Sequence, residues 1–114
     1  MVLEINVKQV AERRAAGETL VLLDVREAEE LKTVSIEGDD VVWLAMSELA
    51  NELLDAIPDV LQDKTQEIIV FCHHGGRSLQ VAGWLEQQGW ENVHNMTGGI
   101  DDWAVHVDPS IGRY

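Results

Sequence analysis

Cysteine is nearly absent from this chain, since Cys72 is the only one among its 114 residues. A single thiol cannot form a disulfide within the chain, which excludes the disulfide-stabilised scaffolds of small secreted proteins. A reaction at this thiol also finds no second cysteine in the chain to resolve it. The cysteine content therefore favours a reducing compartment and directs attention to one thiol.

Long apolar runs are absent as well. The longest, such as Leu20–Leu23 and Ile68–Cys72, are far shorter than the ~20 residues that cross a bilayer. The segment Met1–Val10 includes Glu4 and Lys8 and has no extended apolar stretch of the kind found in secretory signals. We therefore predict a cytoplasmic protein with no membrane as a partner.

Basic residues are scarce: eight lysines and arginines stand against 21 acidic residues, which gives a net charge of −13. Between Glu27 and Glu67 there are twelve acidic residues and only two bases, Lys32 and Lys64. Such a surface repels phosphate groups, which argues against nucleic acid and anionic membranes as partners. Two interpretations of the acidic stretch stay open: a solvated face that aids solubility, or a docking surface for a basic protein partner.

The alternation of β-rich and helical segments predicts a single α/β domain over residues 1–114. Short apolar runs predict strands at Leu20–Val25, Val41–Trp43, Glu67–Cys72 and Asn92–Asn95. Periodicity predicts helices at Val7–Ala16, Glu27–Lys32, Ser47–Ile57, Arg77–Gln88 and Ile100–Ala104. The residues expected to cap or stop these helices are Asn6, Gly17, Ser47 and Gly89.

Strands that alternate with helices imply a parallel sheet that is covered on both faces. In sheets of this kind, ligands bind beyond the carboxyl ends of the strands. Cys72 comes at the end of the predicted strand Glu67–Cys72. The sequence therefore places the thiol at the edge of the sheet where ligands bind.

The segment around this thiol reads Phe-Cys-His-His-Gly-Gly-Arg-Ser at 71–78. Its two glycines permit a tight turn in which several N–H groups point inward and attract an anion. The helix that begins near Arg77 directs its positive end at the same place. We therefore expect the pKa of Cys72 to be lowered and the thiol to be open to solvent and nucleophilic near neutral pH. The alternative is a buried, inert thiol, as free cysteines often are.

The adjacent histidines of this loop, His73 and His74, lack the ligand spacing of a zinc site, so we predict no metal. Two local interpretations are open: either imidazole adds positive charge near the thiolate at mildly acidic pH, or both face solvent. Of the four tryptophans, Trp43 is the candidate for a pocket rim, and the others are expected to be buried or half-buried.

Three motifs together resemble a rhodanese-like domain. The family pattern Cys-x-x-Gly-x-Arg-Ser is matched by Cys72, Gly75, Arg77 and Ser78. Segments 22–27 and 97–103 are similar to the family's Asp-Val-Arg segment and to its Thr-Gly-Gly…Trp segment. The likeness runs from about Ile5 to Trp103. It implies a central, mostly parallel five-stranded sheet with helices on both faces.

The resemblance also implies roles for individual residues, with Cys72 as the persulfide carrier. The residues expected to cradle the sulfur and bind a donor anion are His73, His74, Gly75, Gly76, Arg77 and Ser78. Those expected to give structural support are Asp24, Arg26, Gly98, Gly99 and Trp103. One segment departs from the family: where many relatives have Gly-His-Ile-x-Gly-Ala, this chain has Val-Ser-Ile-Glu-Gly-Asp at 34–39. A contact made by that histidine is therefore not carried over.

The activity implied is that of a thiosulfate:cyanide sulfurtransferase-like enzyme without a cofactor. Sulfur would pass from a small anionic donor or a cysteine desulfurase to cyanide, a thiol or a protein acceptor. An alternative of a different class is a noncatalytic binding module that docks a basic protein. A third is a Cys-based phosphatase or arsenate reductase, which is disfavoured because the six-residue loop Cys72–Arg77 is one residue shorter than that of similar phosphatases.

Overall fold

The computed structural model describes residues 2–114, and its centre is a sheet of five strands in the order β1-β5-β4-β2-β3. The strands are β1 (Leu3–Ile5), β2 (Leu22–Asp24), β3 (Val41–Trp43), β4 (Ile68–Phe71) and β5 (Val93–Met96). The helices are α1 (Val7–Ala15), α2 (Ala28–Thr33), α3 (Met46–Glu52), α4 (Gly76–Gln87) and α5 (Gly99–His106). Short 3₁₀ turns occupy Leu53–Ala56, Asp59–Leu61 and Pro109–Ile111. All four pairs of neighbouring strands are parallel.

The inner strands β2 and β4 are buried along their whole length, and apart from Asp24 at the end of β2 their side chains are apolar. Side chains alternate between the two faces of a strand. Leu22 and Ile69 therefore pack in the cluster that includes α1 and α5, whereas Leu23 and Val70 pack in the cluster that includes α3 and α4. The predicted fold class, a parallel α/β sheet covered by helices on both faces, is confirmed.

The ends of α1 and α4 agree with the sequence prediction. The Asn6 side chain accepts a hydrogen bond from the Gln9 N–H at 2.8 Å, and the Gln9 side chain accepts one from the Asn6 N–H at 3.0 Å. This reciprocal pair satisfies two amides that the first turn of a helix leaves without partners. Gly17 and Gly89 follow the two helices with positive φ angles of 76° and 105°, which glycine adopts readily.

The prediction for the third helix is wrong at both ends. Its N-cap is Ala45, which makes no side-chain capping bond, and the Ser47 hydroxyl instead donates to the carboxylate of Glu27. The helix ends before Leu53, because that residue has a φ of 53° and cannot continue a right-handed helix. The chain goes on as a 3₁₀ turn.

The sequence pattern also fails to indicate β1. This strand has three residues, two of which are exposed, and it lies at the edge of the sheet. Its position is fixed by parallel pairing with β5, with Leu3 opposite His94. A strand this short carries no periodicity that could mark it in the sequence.

At the carboxyl edge of the sheet, β2 and β4 end side by side, with Asp24 opposite Phe71. Arg26 lies just beyond β2, and its Nη2 and Nε atoms are 2.8 and 3.0 Å from the two carboxylate oxygens of Asp24. Both side chains are buried. Burial of a guanidinium requires a counter-charge and saturated hydrogen bonds, and Asp24 supplies both.

Among residues 2–114, no helix combines the length and apolar character needed to traverse a bilayer.

We predict that Asp24→Asn lowers the free energy of unfolding by about 3–5 kcal/mol, because it leaves the buried Arg26 guanidinium without its counter-charge. Denaturation by urea measures this value. The matched control is Asp39→Asn at an exposed position, where a change within about 0.5 kcal/mol is expected. Equal losses for the two variants would contradict a structural role for the pair.

Candidate active site

Cys72 is the first residue after β4, and the start of α5 holds its backbone in place. The Cys72 carbonyl accepts a hydrogen bond from the Ile100 N–H at 2.9 Å, and the His73 carbonyl accepts one from the Asp101 N–H at 3.1 Å. Both donors belong to the first turn of α5, where backbone amides have no partner inside the helix. The end of one helix therefore fixes where the loop begins.

Gly99 makes this approach possible. It has a φ of 61°, and a Cβ atom at this position would overlap the carbonyl oxygens of Cys72 and His73. Gly98, with a φ of 78°, is the N-cap of the same helix, and the buried Trp103 anchors it in the core shared with α1. The backbone geometry of this turn allows α5 to approach the loop closely.

The Cys72 sulfur is surrounded by backbone N–H donors. The Gly75 N–H lies 3.1 Å from Sγ and the Ser78 N–H lies 3.4 Å from it. Burial raises the pKa of the Cys72 thiol, but hydrogen bonds from Ser78, Gly75 and His74 oppose it and leave this pKa below that of an ordinary cysteine. The loop therefore stabilises the thiolate, which is the nucleophilic form of the side chain.

The same loop closes over the sulfur, since Cys72 is only 1% exposed. This differs from the solvent-open thiol that the sequence predicts. The reason is that the six-residue loop is tight: Gly75 turns with a φ of 109° and aims its amide at Sγ, and α4 begins at the next residue. A donor or acceptor can reach the sulfur only after this loop or the side chains around it move.

Arg77 is engaged by Glu30 of α2. Its two terminal nitrogens lie 2.6 and 2.8 Å from the two carboxylate oxygens, a bidentate arrangement. Hydrogen bonds donated by Arg77 lower the pKa of Glu30 to about 2, against the opposing effect of burial. Glu30 stays ionised at any physiological pH, so much of the Arg77 charge is compensated.

Tyr114 completes this cluster. Its hydroxyl donates to Glu30 Oε2 at 2.6 Å and accepts from Arg26 Nη1 at 3.2 Å. Its ring stacks on the imidazole of His73, with the ring centres 3.8 Å apart and the planes 8° from parallel. Burial is the main reason why the pKa of Tyr114 is raised, so the hydroxyl keeps its proton. Sequence analysis assigned no role to Glu30 or Tyr114.

The two loop histidines have different surroundings. His74 is exposed, and its Nδ1 lies 3.9 Å from a carboxylate oxygen of Asp101. His73 is half-buried beneath Tyr114, and burial followed by the nearby His74 lowers the pKa of His73. His73 is therefore neutral at neutral pH, which disfavours the interpretation that its imidazole adds positive charge beside the thiolate.

Ser78 ties the loop to β5. Its hydroxyl lies 2.6 Å from Asn95 Oδ1 and 3.2 Å from the Gly75 carbonyl, and the Asn95 side-chain amide reaches the same carbonyl at 3.3 Å. Ser78 and Asn95 are both buried. The Ser78 hydroxyl also contributes to the lowered pKa of Cys72, but it has a single proton, for which Asn95 Oδ1 and the Gly75 carbonyl compete. Asn95 is a further residue that sequence analysis did not single out.

Trp43 stays a prediction for a pocket rim. Its side chain is 45% exposed, its indole N–H donates to the Arg26 carbonyl at 2.8 Å, and it lines neither of the two cavities that Trp84 and Trp103 border. Trp84 lines a groove between α3 and α4, and Trp103 lines a cavity that also borders Ser35, in the segment that departs from the family pattern. Local spacing carries no signal of this difference, since it depends on how the helices pack.

We predict that Gly99→Ala destabilises the fold more than Gly17→Ala does. Both glycines have positive φ, but a Cβ at Gly17 meets nothing within 4 Å, whereas at Gly99 it overlaps the loop carbonyls. Urea denaturation should show a loss of about 1–2 kcal/mol for Gly17→Ala and a larger loss for Gly99→Ala.

The rate of Cys72 alkylation, measured against pH, should also have its midpoint at higher pH in Gly99→Ala, because displacing the loop weakens the amide bonds that lower the thiol pKa. Identical midpoints in wild type and Gly99→Ala would show that α5 does not position these donors.

Comparison with known proteins shows which family the chain is similar to. The family model of the rhodanese-like domain matches residues 6–106. A sulfurtransferase of Allochromatium vinosum is 33% identical over 111 residues, which cover 97% of this chain and 96% of that protein. The chloroplastic rhodanese-like/PpiC domain-containing protein 12 of Arabidopsis thaliana is 39% identical over 95 residues, which cover 82% of this chain and 30% of that protein.

Among solved structures, the crystal structure of a rhodanese-related protein from Thermoplasma volcanium superposes with a TM-score of 0.73 at 28% identity. The superposition covers 92% of this chain and 93% of that one. The family match spans most of the chain and includes all three motifs that carry the resemblance. On this basis the chain belongs to the family of rhodanese-like domains.

Proposed function

We propose that this protein is a sulfurtransferase that carries sulfane sulfur on Cys72. The observation that carries the proposal is the set of backbone N–H groups that face Sγ and lower the pKa of the thiol. A similar protein of nearly equal length from A. vinosum is named a sulfurtransferase, which supports the same reaction class here.

We propose that residues 1–114 act as one domain and, because the cysteine is unpaired, that they act in the cytoplasm.

In the first step, the Cys72 thiolate attacks the outer sulfur of thiosulfate. A bond forms between Sγ and that sulfur, and the sulfur–sulfur bond of the donor breaks. Sulfite leaves with the electron pair of the broken bond, and a Cys72 persulfide remains. A persulfidated protein can serve as donor in the same way, with its own thiolate as leaving group. No oxidant or reductant is needed.

In the second step, a nucleophile such as cyanide or a thiol attacks the outer sulfur of the persulfide. The bond to Sγ breaks, its electron pair returns to Cys72 as thiolate, and the transferred sulfur leaves on the acceptor. The outer sulfur of the persulfide is itself anionic and needs hydrogen-bond donors. The N–H groups of residues 73–77 would supply them, much as an oxyanion hole stabilises developing charge on oxygen.

In this proposal Arg77 assists the binding of an anionic donor but does not act alone. Its bidentate pair with Glu30 compensates much of its charge and fixes its orientation. An arginine side chain has five N–H donors, and the Glu30 carboxylate accepts from two of them. The others remain available to an anionic donor. Between Ile68 and Leu85, Arg77 is the only formally charged side chain, and the carboxylate that opposes it comes from α2.

The burial of Cys72 favours a second candidate, a rhodanese fold that binds a partner without turning over sulfur. A thiol that is 1% exposed meets the expectation for an inert cysteine. The two candidates differ in one measurable property, because only the sulfurtransferase takes up sulfane sulfur on Cys72.

We predict that treatment with thiosulfate adds the mass of one sulfur atom to the intact protein, reversibly by reductant. Cys72→Ser should take up no sulfur and show no transfer to cyanide, since the chain has no other cysteine. The control is the thermal unfolding of Cys72→Ser, which should stay close to that of wild type. Wild type that remains unmodified, or a serine variant that still forms thiocyanate, would contradict the proposal.

We predict that Arg77→Ala lowers kcat/KM for thiosulfate by about tenfold or more, as expected for the loss of a charge-assisted contact of about 1.5–3 kcal/mol. The effect should be smaller when the donor is an alkyl persulfide, because its organic end has no charge for Arg77 to bind. Arg77→Lys should restore part of the loss, because it keeps the charge but not the bidentate geometry. An equal effect on both donors would assign Arg77 a structural role instead.

A further inference from the structure

An apolar groove lies between α3 and α4, on the opposite face of the sheet from α1 and α5. Its principal lining residues are Met46, Leu49, Leu53, Val81 and Trp84, and its volume is about 180 Å³. Leu49 and Val81 form its buried floor, whereas Met46 and Trp84 are half-buried at its sides. The sulfur chemistry proposed above uses none of these side chains. We call this feature the α3–α4 groove.

Leu53 gives the α3–α4 groove an unusual rim. It is 54% exposed, and the next residue, Leu54, is 48% exposed. Leu53 also has a φ of 53° and a ψ of −128°, a backbone conformation that favours glycine over any residue with a side chain. Neither burial nor backbone preference explains a leucine here. Conformations of this kind concentrate at functional sites.

The segment that includes Leu53 is acidic and has no basic residue between Met46 and Leu61. Glu48 and Glu52 lie on α3, and Asp55 and Asp59 lie in the two turns that follow it; all four are exposed. Within residues 2–114, none of the four has an ion pair or a side-chain hydrogen bond. Their charge is therefore free to act on a partner, unlike that of Glu30, which Arg77 compensates.

The α3–α4 groove starts near the reactive edge of the sheet. The Met46 N–H donates to the Val25 carbonyl at 3.0 Å, and Val25 in turn pairs with Phe71, the residue before Cys72. α4 begins at Gly76, inside the Cys72 loop. At 1.5 Å per residue, Trp84 lies only about 12 Å along this helix from Gly76. A segment bound in the groove would hold its own protein close to the thiol.

We propose that the α3–α4 groove docks a basic amphipathic helix of the protein that exchanges sulfur with Cys72, an inference that rests on the proposed function. Apolar side chains on one face of such a helix would fill the groove, and its lysines or arginines would be attracted by the four carboxylates of the segment that carries the rim. A second copy of this chain fits poorly, because it would bring two acidic segments together and each chain has a net charge of −13. An anionic membrane is repelled by the same charges.

The probe is a synthetic helical peptide of leucine and lysine with its leucines at i, i+3, i+4 and i+7 and one cysteine at an end. Two variants test the site. Leu53→Gly removes the rim side chain and places at this position a residue that readily adopts its positive φ, and Glu52→Lys reverses a charge. Their matched controls are Val105→Ala, an exposed apolar residue of α5, and Glu12→Lys, an exposed acid of α1. Binding is measured by titration followed by amide NMR.

We expect the peptide to shift resonances of α3 and α4, and each groove variant to weaken binding about tenfold or more, as expected for the loss of a buried leucine or of a close charge pair. The controls should bind within about twofold of wild type. Raising the ionic strength should weaken wild-type binding. Transfer of sulfur from persulfidated Cys72 to the peptide thiol should fall in the same variants, while transfer from thiosulfate to cyanide should not change.

Groove variants that bind like their controls would overturn the inference, as would resonance shifts centred elsewhere. A wild-type dimer in sedimentation that Leu53→Gly dissociates would overturn it in favour of a second copy as the occupant. Failure of the proposed function gives a different result: the wild type takes up no sulfur from thiosulfate, yet the peptide still binds in the groove. That result would support the docking surface and remove only its link to sulfur exchange.

Discussion

The contact on which the site depends is the hydrogen bonding of backbone amides to one buried sulfur. A thiolate removed from water is costly unless donors replace its solvation. Here the donors are main-chain groups at the start of α4, and their direction is set by the fold rather than by side-chain rotamers. The loop that carries them is fixed at its entry by the first amides of α5. Two helix starts therefore converge on the end of one strand.

This arrangement separates the local electrostatics of the site from the charge of the whole molecule. Each arginine near the sulfur has its own carboxylate: Arg26 pairs with Asp24, and Arg77 pairs with Glu30. The donors left for an anion are mostly neutral amides. In the proposed reaction both sulfite and thiocyanate must leave as anions, and neutral dipoles hold a leaving anion less tightly than an unpaired cation does. The acidic surface then favours their departure.

The sequence predicts the parts of this architecture that depend on local pattern. The apolar run at 20–25 and the loop at 71–78 place the central strand and the thiol correctly, because strands buried on both faces and glycine-rich turns have local signatures. It does not predict Glu30, Asn95 or Tyr114, which reach the loop from residues 17 to 47 positions away in the chain. Nor does it predict that Cys72 is covered, since burial depends on how the loop packs.

Under the proposed function, the burial of Cys72 protects the sulfur that it carries. A persulfide exposed to a reducing compartment would be stripped by small thiols before it reached its acceptor. Burial of Cys72 under a tight loop limits that loss, but it also slows the access of every donor and acceptor to the sulfur. His73 of the loop and Tyr114 are held against each other by stacking, and Tyr114, which is 40% exposed, donates a hydrogen bond to the half-buried Glu30. Such contacts at the surface are weaker than core packing. A partner docked beside the loop would displace His73 and Tyr114 and expose the sulfur. The choice of sulfur acceptor would then depend on which protein binds beside the loop rather than on the reaction at Cys72.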